Sequence, residues 1–237
     1  TNQLWDGIPL TFSSDTENIG TNTTKNGKAS AEYTVKSSDR HLTVTCADAQ
    51  AMLPVLNLTT FSGLHNWIKR LNDGDILNLT DDVTQDATNH IVISKSITID
   101  GQGHTIDALN ISGIFYITAD NVVLKNINFK NGKSDSEGAV YFGGSGTLTN
   151  CNFTNNSASY WGAVIFSGDG TVTDCNFAEN KATADYSAGG AIYFSQQGAV
   201  SNCNFAENKA NDGNSFGGAI FMNYGTVSNC NFTDNSA

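Results

Sequence analysis

The segment NCNFTNNSASYWGAVIFSGDGTVT, from Asn150 to Thr173, recurs with small changes to the end of the chain. Its N-C-N-F core stands at Asn150–Phe153, Asn202–Phe205 and Asn229–Phe232, as DCNF at Asp174–Phe177 and as a degenerate NINF at Asn126–Phe129. Successive cores are 24, 24, 28 and 27 residues apart, and internal periods of this size mark a solenoid.

The kind of solenoid follows from the alternation within each repeat. Around Cys151-Asn152-Phe153 apolar and polar residues alternate as on a strand with one buried face. A second strand per repeat reads Gly162–Phe166, Gly190–Phe194 and Gly218–Met222, and a third reads Thr147–Thr149, Thr171–Thr173, Ala199–Ser201 and Thr226–Ser228. Three short strands per repeat, with no helical stripe, describe one coil of a parallel β-helix. The Leu-x-x-Leu-x-Leu consensus of a leucine-rich repeat is missing.

Stacked coils turn each repeat position into a column. Ile127, Cys151, Cys175, Cys203 and Cys230 are expected to point inward together, with Phe129, Phe153, Phe177, Phe205 and Phe232 in the next column. Asn126, Asn150, Asp174, Asn202 and Asn229 are expected to turn a corner, because Asn and Asp tolerate a left-handed backbone. A second polar column, Asn156, Asn180, Asn208 and Asn235, is also assigned to a turn. Neighbouring strands lie ~4.8 Å apart, near the lower end of disulfide Cα separations, but their parallel side chains favour buried free thiols over bridges. The cysteines form no CxxC or Cys/His pattern, so no zinc site and no cofactor is expected.

Only 15% of residues are charged and the net charge is -11, which speaks against binding to nucleic acid or anionic membrane. No apolar run approaches 20 residues, so no membrane insertion is expected. The sequence starts without Met and stops inside a repeat, the expectation for an excised piece of a longer protein.

Before the repeats, SGLHNWIKRL places Leu64, Trp67, Ile68 and Leu71 on one helical face, with Asp73-Gly74 as a stop. Residues 51–74 are therefore assigned to a linker and a helix whose apolar face closes the solenoid, and residues 75–237 to about seven coils. His104, close in sequence to Asp100 and Asp107, reads as a turn residue rather than an acid-base group. Residues 1–50 differ in composition: Ile8–Phe12, Ala31–Val35 and His41–Thr45 look like strands, separated by a Gly/Asn/Thr-rich stretch from Asn18 to Gly27.

The phrases DGIPLTFSS, KNGKASAEYTV and HLTVT resemble the later strands of bacterial immunoglobulin-like repeats. The capping segment, SITIDGQGHTID, VVLKNINFKNG and the NCNF repeats resemble the adhesin-like surface proteins of methanogenic archaea, which carry right-handed parallel β-helices of the pectin-lyase type. The repeats are also similar to those of chlamydial polymorphic outer membrane proteins: GGAI occurs at Gly189–Ile192 and Gly217–Ile220, FxxN follows Phe153, Phe177, Phe205 and Phe232, and Glu137 and Trp161 replace the first Gly in two coils. The fold class implied is all-β: a right-handed three-strand parallel β-helix with an N-terminal capping helix, preceded by a partial immunoglobulin-like β segment. Both resemblances imply an extracellular, surface-displayed adhesin whose partner is a protein or glycan on a host or microbial cell. A spacer that holds another module away from the cell is the alternative.

A polysaccharide lyase or hydrolase is the third possibility, because solenoids of the pectin-lyase type also include enzymes. Glycoside hydrolysis needs two carboxyl groups facing one substrate, whereas Glu179, Glu207 and Asp234 are versions of one repeat position, and Arg40 and Arg70 precede the solenoid. No catalytic residue is assigned. Binding is expected on the variable segments NNSASYW, ENKATADYSAG and ENKANDGNSFG, where Tyr160, Trp161, Tyr186 and Phe216 offer an aromatic strip for sugar rings or protein. N-x-S/T triplets at Asn22, Asn57, Asn78, Asn110, Asn152, Asn155 and Asn231 are potential glycan acceptors in an extracellular setting.

Overall fold

The computed structural model describes residues 8–14, 17–25, 28–31, 41–46, 49–54, 58–87, 89–135, 138–211 and 213–237. The expected strand at Ala31–Val35 lies outside them beyond Ala31, as do Arg40, Asn57 and Glu137. The chain divides into two compact units, residues 1–57 and residues 58–237.

In the first unit, strands Pro9–Ser14, Asn18–Thr23, His41–Cys46 and Ala49–Pro54 form an antiparallel sheet in the spatial order second, first, third, fourth. The stretch from Asn18, read from composition as a connection, is thus partly a strand. Its backbone pairs with Pro9–Ser14, and Thr11 and Thr21 share a cross-strand hydroxyl bond of 3.0 Å. Pairing supplies what the weak strand propensity of Asn and Gly does not. The fourth strand crosses residue 50, where composition changes.

The second unit is a parallel β-solenoid. One face stacks Val83–Thr84, Thr105–Asp107, Asn128–Lys130, Asn152–Thr154, Asn176–Ala178, Asn204–Ala206 and Asn231–Thr233, every neighbour parallel and in register. We call this the CNF face. The aromatic face stacks Ile91–Ile93, Phe115–Ile117, Val140–Phe142 and Val164–Phe166. The threonine face stacks Ile76–Asn78, Thr98–Asp100, Val122–Lys125, Gly146–Thr149 and Gly170–Thr173. In the last two coils, strands Ile192–Ser201 and Ile220–Ser228 run through the corner and serve both of these faces. Two faces carry seven rungs and the aromatic face six, so about six turns close where the repeat count suggested about seven. A fourth ladder of two-residue strands, Lys133–Ser134, Ser157–Ala158, Lys181–Ala182 and Lys209–Ala210, follows the CNF face.

The corners use left-handed backbone. Asn126, Asn150, Asp174, Asn202 and Asn229 all have φ between 50° and 56°. The second expected corner column is corrected by one residue: Asn131, Asn155, Glu179, Glu207 and Asp234 carry the positive φ. Asn156, Asn180 and Asn208, assigned to a turn, are fully buried instead.

Those buried amides form a closed hydrogen-bond chain. Asn180 Oδ1 accepts from the backbone N–H and Nδ2 of Asn156 at 3.1 and 3.0 Å, while Asn180 Nδ2 donates to Phe153 O and Asn208 Oδ1 at 3.0 and 2.9 Å. The same pattern continues from Asn208 to Asn235, and Asn156 Oδ1 accepts from Gly132 N. Burying an amide is costly unless its bonding groups are used. Among the described residues no buried side-chain N or O lacks a partner.

Beside this ladder, Phe129, Phe153, Phe177, Phe205 and Phe232 stack with ring centroids 4.6–4.9 Å apart. Phe142, Phe166 and Phe194 form a second stack at 4.5 and 5.0 Å. The rings of this second stack explain a glycine in the repeat: a Cβ on Gly170 would come within 2.5 Å of Phe166 and 2.7 Å of Phe194. Phe232, on the last rung with no ring above it, is 47% exposed, unlike the rest of its column.

Cys151, Cys175 and Cys203 are buried and Cys230 partly so, and all are free thiols. Each backbone N–H points at the sulfur one coil on: Cys151 N to Cys175 Sγ and Cys175 N to Cys203 Sγ are both 3.4 Å. Hydrogen bonding along the thiol column, followed by burial, pushes the Cys203 thiol far above its ordinary pKa, and Cys175 is raised mainly by its bond to Cys151.

At the N-terminal end, helix α1 (Phe61–Ile68) is capped by Thr60, whose hydroxyl accepts from Gly63 N at 3.1 Å. Phe61, Leu64 and Ile68 join the solenoid core beside Leu77 and Ile91. Trp67, expected on the covering face, is 38% exposed, and Phe61, one residue before the helix as read, is buried on that face with Leu64 and Ile68.

Two outcomes follow. Replacing Asn180 with Ala removes the acceptor of the Asn156 backbone N–H and of one Asn156 Nδ2 hydrogen, at about 1–3 kcal/mol per stranded group. Chemical denaturation should show a loss of about 3 kcal/mol or more in a chain that still folds as parallel β. Mass-spectrometric mapping after iodoacetamide at mildly alkaline pH should find Cys151, Cys175 and Cys203 unmodified in the native protein and fully modified in denaturant.

Candidate functional site

The segments between the two-residue ladder and the aromatic face change length from coil to coil, while the strands around them keep register. They carry all four aromatic residues expected there, each accessible: Tyr160 is 51%, Trp161 38%, Tyr186 69% and Phe216 58% exposed. Their relative placement is set by backbone bridges. Trp161 pairs with Ala188, and Ala188 with Phe216, so Trp161 and Phe216 share one column two coils apart. Trp161 stands at the first Gly of the motif, and Val164 pairs with Ile192 as that alignment requires, but in backbone pairing Trp161 lies opposite Ala188, the residue before Gly189. Gly189 and Gly217 have φ of 65° and 64°, and a Cβ at either would come within 2.2 Å of a carbonyl oxygen. The glycines thus fix the turn from which the strand starts.

The loop rings meet a column that sequence reasoning did not single out. Tyr116, Tyr141, Ile165, Tyr193 and Phe221 occupy successive outward positions of the aromatic face. Tyr116 stacks on Tyr141 at 4.9 Å, Tyr193 on Phe221 at 5.4 Å, and His90 on Tyr116 at 5.1 Å. Trp161 lies 5.6 Å from Tyr193 and Phe216 6.3 Å from Phe221, while Tyr160 is 6.3 Å from Trp161. Tyr160, Trp161, Tyr193, Phe221 and Phe216 thus form one connected aromatic surface, separated by the buried Ile165 from the stack of His90, Tyr116 and Tyr141, and Tyr186 stands on the same loop side. Tyr186 also has φ of 64°, a backbone conformation uncommon for a bulky side chain.

The polar candidates lie elsewhere. Glu179, Glu207 and Asp234 are exposed members of the corner column described above. Asp100 is buried beside Lys125 Nζ at 3.1 Å and accepts from Asn126 Nδ2 at 2.8 Å. Burial raises its pKa, but the bonds from Asn126, Gln102 and Lys125 outweigh that and hold it below the usual carboxylate range. It is an ion-paired acceptor at neutral pH and holds no proton to donate. His104 Nδ1 lies 3.3 Å from Asp82 Oδ1, so its carboxylate neighbour comes from the preceding coil and is neither Asp100 nor Asp107.

A pocket of about 220 Å³ at the capping end is lined by Phe61, His65, Asn66, Asn89, His90 and other residues. His65 Nδ1 accepts from Val92 N at 3.2 Å, and burial, Lys69 and His90 lower its pKa. Among the described residues no three His, Cys, Asp or Glu side chains gather as metal ligands. Of the glycan-acceptor candidates, Asn152 is tied into an exposed amide ladder, donating to Asn128 Oδ1 at 2.6 Å and accepting from Asn176 at 2.8 Å.

No helix among the described residues is long and apolar enough to cross a membrane. Neither the curated proteins nor the solved structures include a significant match to this chain. The family described as right-handed β-helix region matches residues 88–237, which is most of the stacked part of the second unit and more than half of the chain. The protein belongs to the right-handed β-helix family.

Proposed function

We propose that this chain is a non-catalytic adhesion module of an extracellular surface protein, of the adhesin-like kind its repeats resemble, with the loop side of the solenoid as its contact surface. The observation that carries the reading is the connected aromatic surface of Tyr160, Trp161, Tyr193, Phe221 and Phe216, held in fixed register by the coils. Exposed aromatic residues on a rigid scaffold supply large contact areas at small entropic cost. Contacts that recur along a solenoid also add up on an extended partner. The partner is a protein or glycan on another cell. The antiparallel unit at the N-terminus is read as part of an immunoglobulin-like module.

Two rival readings have specific support. Continuous ladders of Asn, Phe and Cys favour a stalk that keeps another module away from the cell surface. The presence of enzymes among solenoids of this type keeps a polysaccharide lyase or hydrolase in view. Against catalysis stands the chemistry of the coils: the carboxylates Glu179, Glu207 and Asp234 repeat in one exposed column, and Asp100 is locked in an ion pair.

Beads coated with the protein test all three readings when offered to a panel of microbial and animal cells and insoluble polysaccharides. Saturable retention on at least one surface is expected. The combined variant Tyr160→Ser, Trp161→Ser, Tyr186→Ser and Phe216→Ser should keep the strand-type circular dichroism spectrum and lose most of that retention, at about 1 kcal/mol per contact residue. Retention of nothing across the panel contradicts adhesion and supports the stalk. Release of reducing ends or unsaturated products from pectin or polygalacturonate, abolished by one substitution in the coils, contradicts the non-catalytic assignment.

A further inference from the structure

The rings on the aromatic face and those on the loops are turned differently. Tyr116 and Tyr141 lie with planes 13° apart, and Tyr193 and Phe221 with planes 3° apart. Rings stacked on successive rungs turn their faces toward one another along the solenoid, so they offer solvent their edges and, for tyrosine, a hydroxyl group. The loop rings are tilted: Trp161 by 34° to Tyr193, Phe216 by 57° to Phe221 and Tyr160 by 54° to Trp161. Tilted rings beside a stack leave ring faces uncovered, which agrees with the exposure of Tyr160 and Phe216. The surface therefore has a floor of hydroxyls and ring edges, interrupted at the buried Ile165 and flanked by ring faces.

The floor is also uncharged. Residues 91–94, 115–118, 140–143, 164–167, 192–195 and 220–223 make up its six rungs and include no Asp, Glu, Lys or Arg, in a protein of net charge -11. Next to the outward rings run small polar or hydroxyl positions, among them Thr118, Ser167 and Ser195, and Ser167 Oγ donates to the Tyr141 hydroxyl at 3.1 Å. Hydroxyl bonding groups, uncovered aromatic faces and no charge together match the surface of an uncharged sugar chain, whose C–H faces pack on aromatic rings and whose hydroxyls exchange hydrogen bonds. Protein interfaces share the aromatic enrichment but are enriched in Arg as well, and this floor has none. The rungs recur at ~4.8 Å along the solenoid, so a contact made by one sugar is offered again to its neighbours. The left-handed backbone at Tyr186 presents a ring that is 69% exposed, and strained residues of this kind cluster at ligand contacts.

We propose that the aromatic face, flanked by Tyr186 and Phe216, binds an uncharged polysaccharide laid along the solenoid axis; this rests on the adhesion reading of the same side and specifies its ligand class. The chain spans the rungs from Tyr116 to Phe221, hydrogen-bonded by Tyr116, Tyr141 and Tyr193 and stacked on the loop rings.

Affinity gel electrophoresis through mannan, galactomannan, xyloglucan or hydroxyethyl cellulose tests it, with polygalacturonate and chitosan as the charged polymers. At least one neutral polymer should retard the protein. That retardation should be unchanged between about 0.01 and about 1 M salt, over which the Debye length shrinks from ~30 to ~3 Å. Tyr186→Ala with Phe216→Ala should weaken binding at least about tenfold, the effect of roughly 1.4 kcal/mol. The hydroxyl-deleting set Tyr116→Phe, Tyr141→Phe and Tyr193→Phe, which keeps every ring, should weaken it several-fold with an unchanged thermal midpoint. Retardation by none of the neutral polymers, binding confined to charged polymers and lost in salt, or wild-type binding by both variant sets would each overturn the proposal. Bead retention on cells separates the two readings: if it persists, and survives periodate oxidation of the cell surface, adhesion stands and the sugar ligand falls. If bead retention is absent as well, both fall.

Discussion

The amide chain from Asn156 through Asn180 and Asn208 to Asn235 is the constraint on which the solenoid depends. Each turn of chain must leave the CNF face, reverse direction and return without water reaching the core. The corner at Asn155, Glu179, Glu207 and Asp234 achieves the reversal with a left-handed residue, and the Asn that follows points inward. There Asn180 uses both lone pairs of its oxygen and both hydrogens of its nitrogen, bonding the coil before and the coil after. Replacing the amide leaves a buried backbone N–H open, and a shift of register by one residue would bury the corner side chain, charged at Glu179, Glu207 and Asp234, in its place. From Asn156 to Asn235 the same residue at one position of each coil thus serves hydrogen-bond closure as well as shape, and the chain ends on the Gly132 N–H of the coil before.

The apolar columns depend on that register. Once amides fix which residue of each coil lies above which, Phe153, Phe177 and Phe205 fall face to face, and Gly170 lies where only a hydrogen fits beneath the Phe166 and Phe194 rings. The cysteines fill the narrower part of the core, their backbone N–H groups aimed at the sulfur of the next coil. Helix α1 closes one end with Phe61, Leu64 and Ile68.

Much of this was legible in the sequence, because a repeat presents the same environment several times. The 24- to 28-residue period, the alternation in CNF and the left-handed corner at Asn126, Asn150, Asp174, Asn202 and Asn229 all had local signatures. The second corner was misplaced by one residue because Asn, Glu and Asp share it, a mixture that conceals its backbone preference, whereas the invariant Asn beside it resembles a turn residue. Composition cannot tell an Asn that turns from an Asn that bonds inside. Trp67 was misassigned because Leu64, Trp67, Ile68 and Leu71 satisfy the helical spacing, whereas the helix runs from Phe61 to Ile68 and buries Phe61, Leu64 and Ile68. For the site, loop variability pointed to Tyr160, Trp161, Tyr186 and Phe216. The face beside them went unnoticed although its signal was present: the outward position of that strand reads Tyr116, Tyr141, Ile165, Tyr193 and Phe221. Strand reading attended to the inward residues and passed over aromatic ones that alternate outward.

Rigid register and an exposed aromatic side belong to one design, since a surface built from several coils can present a regular ligand with regular contacts only if the coils do not slip. The most direct measurement of that rigidity is residue-resolved native-state hydrogen exchange at the amides of Asn156, Asn180 and Asn208. These N–H groups donate to side-chain oxygens of the next coil, where corner amides of ordinary loops meet water. Exchange as slow as that of the strand amides at Asn152–Thr154 and Asn176–Ala178, governed by global unfolding, is the predicted result. Exchange at the rate of exposed loop amides would contradict the claim that the buried amide chain holds the coils together.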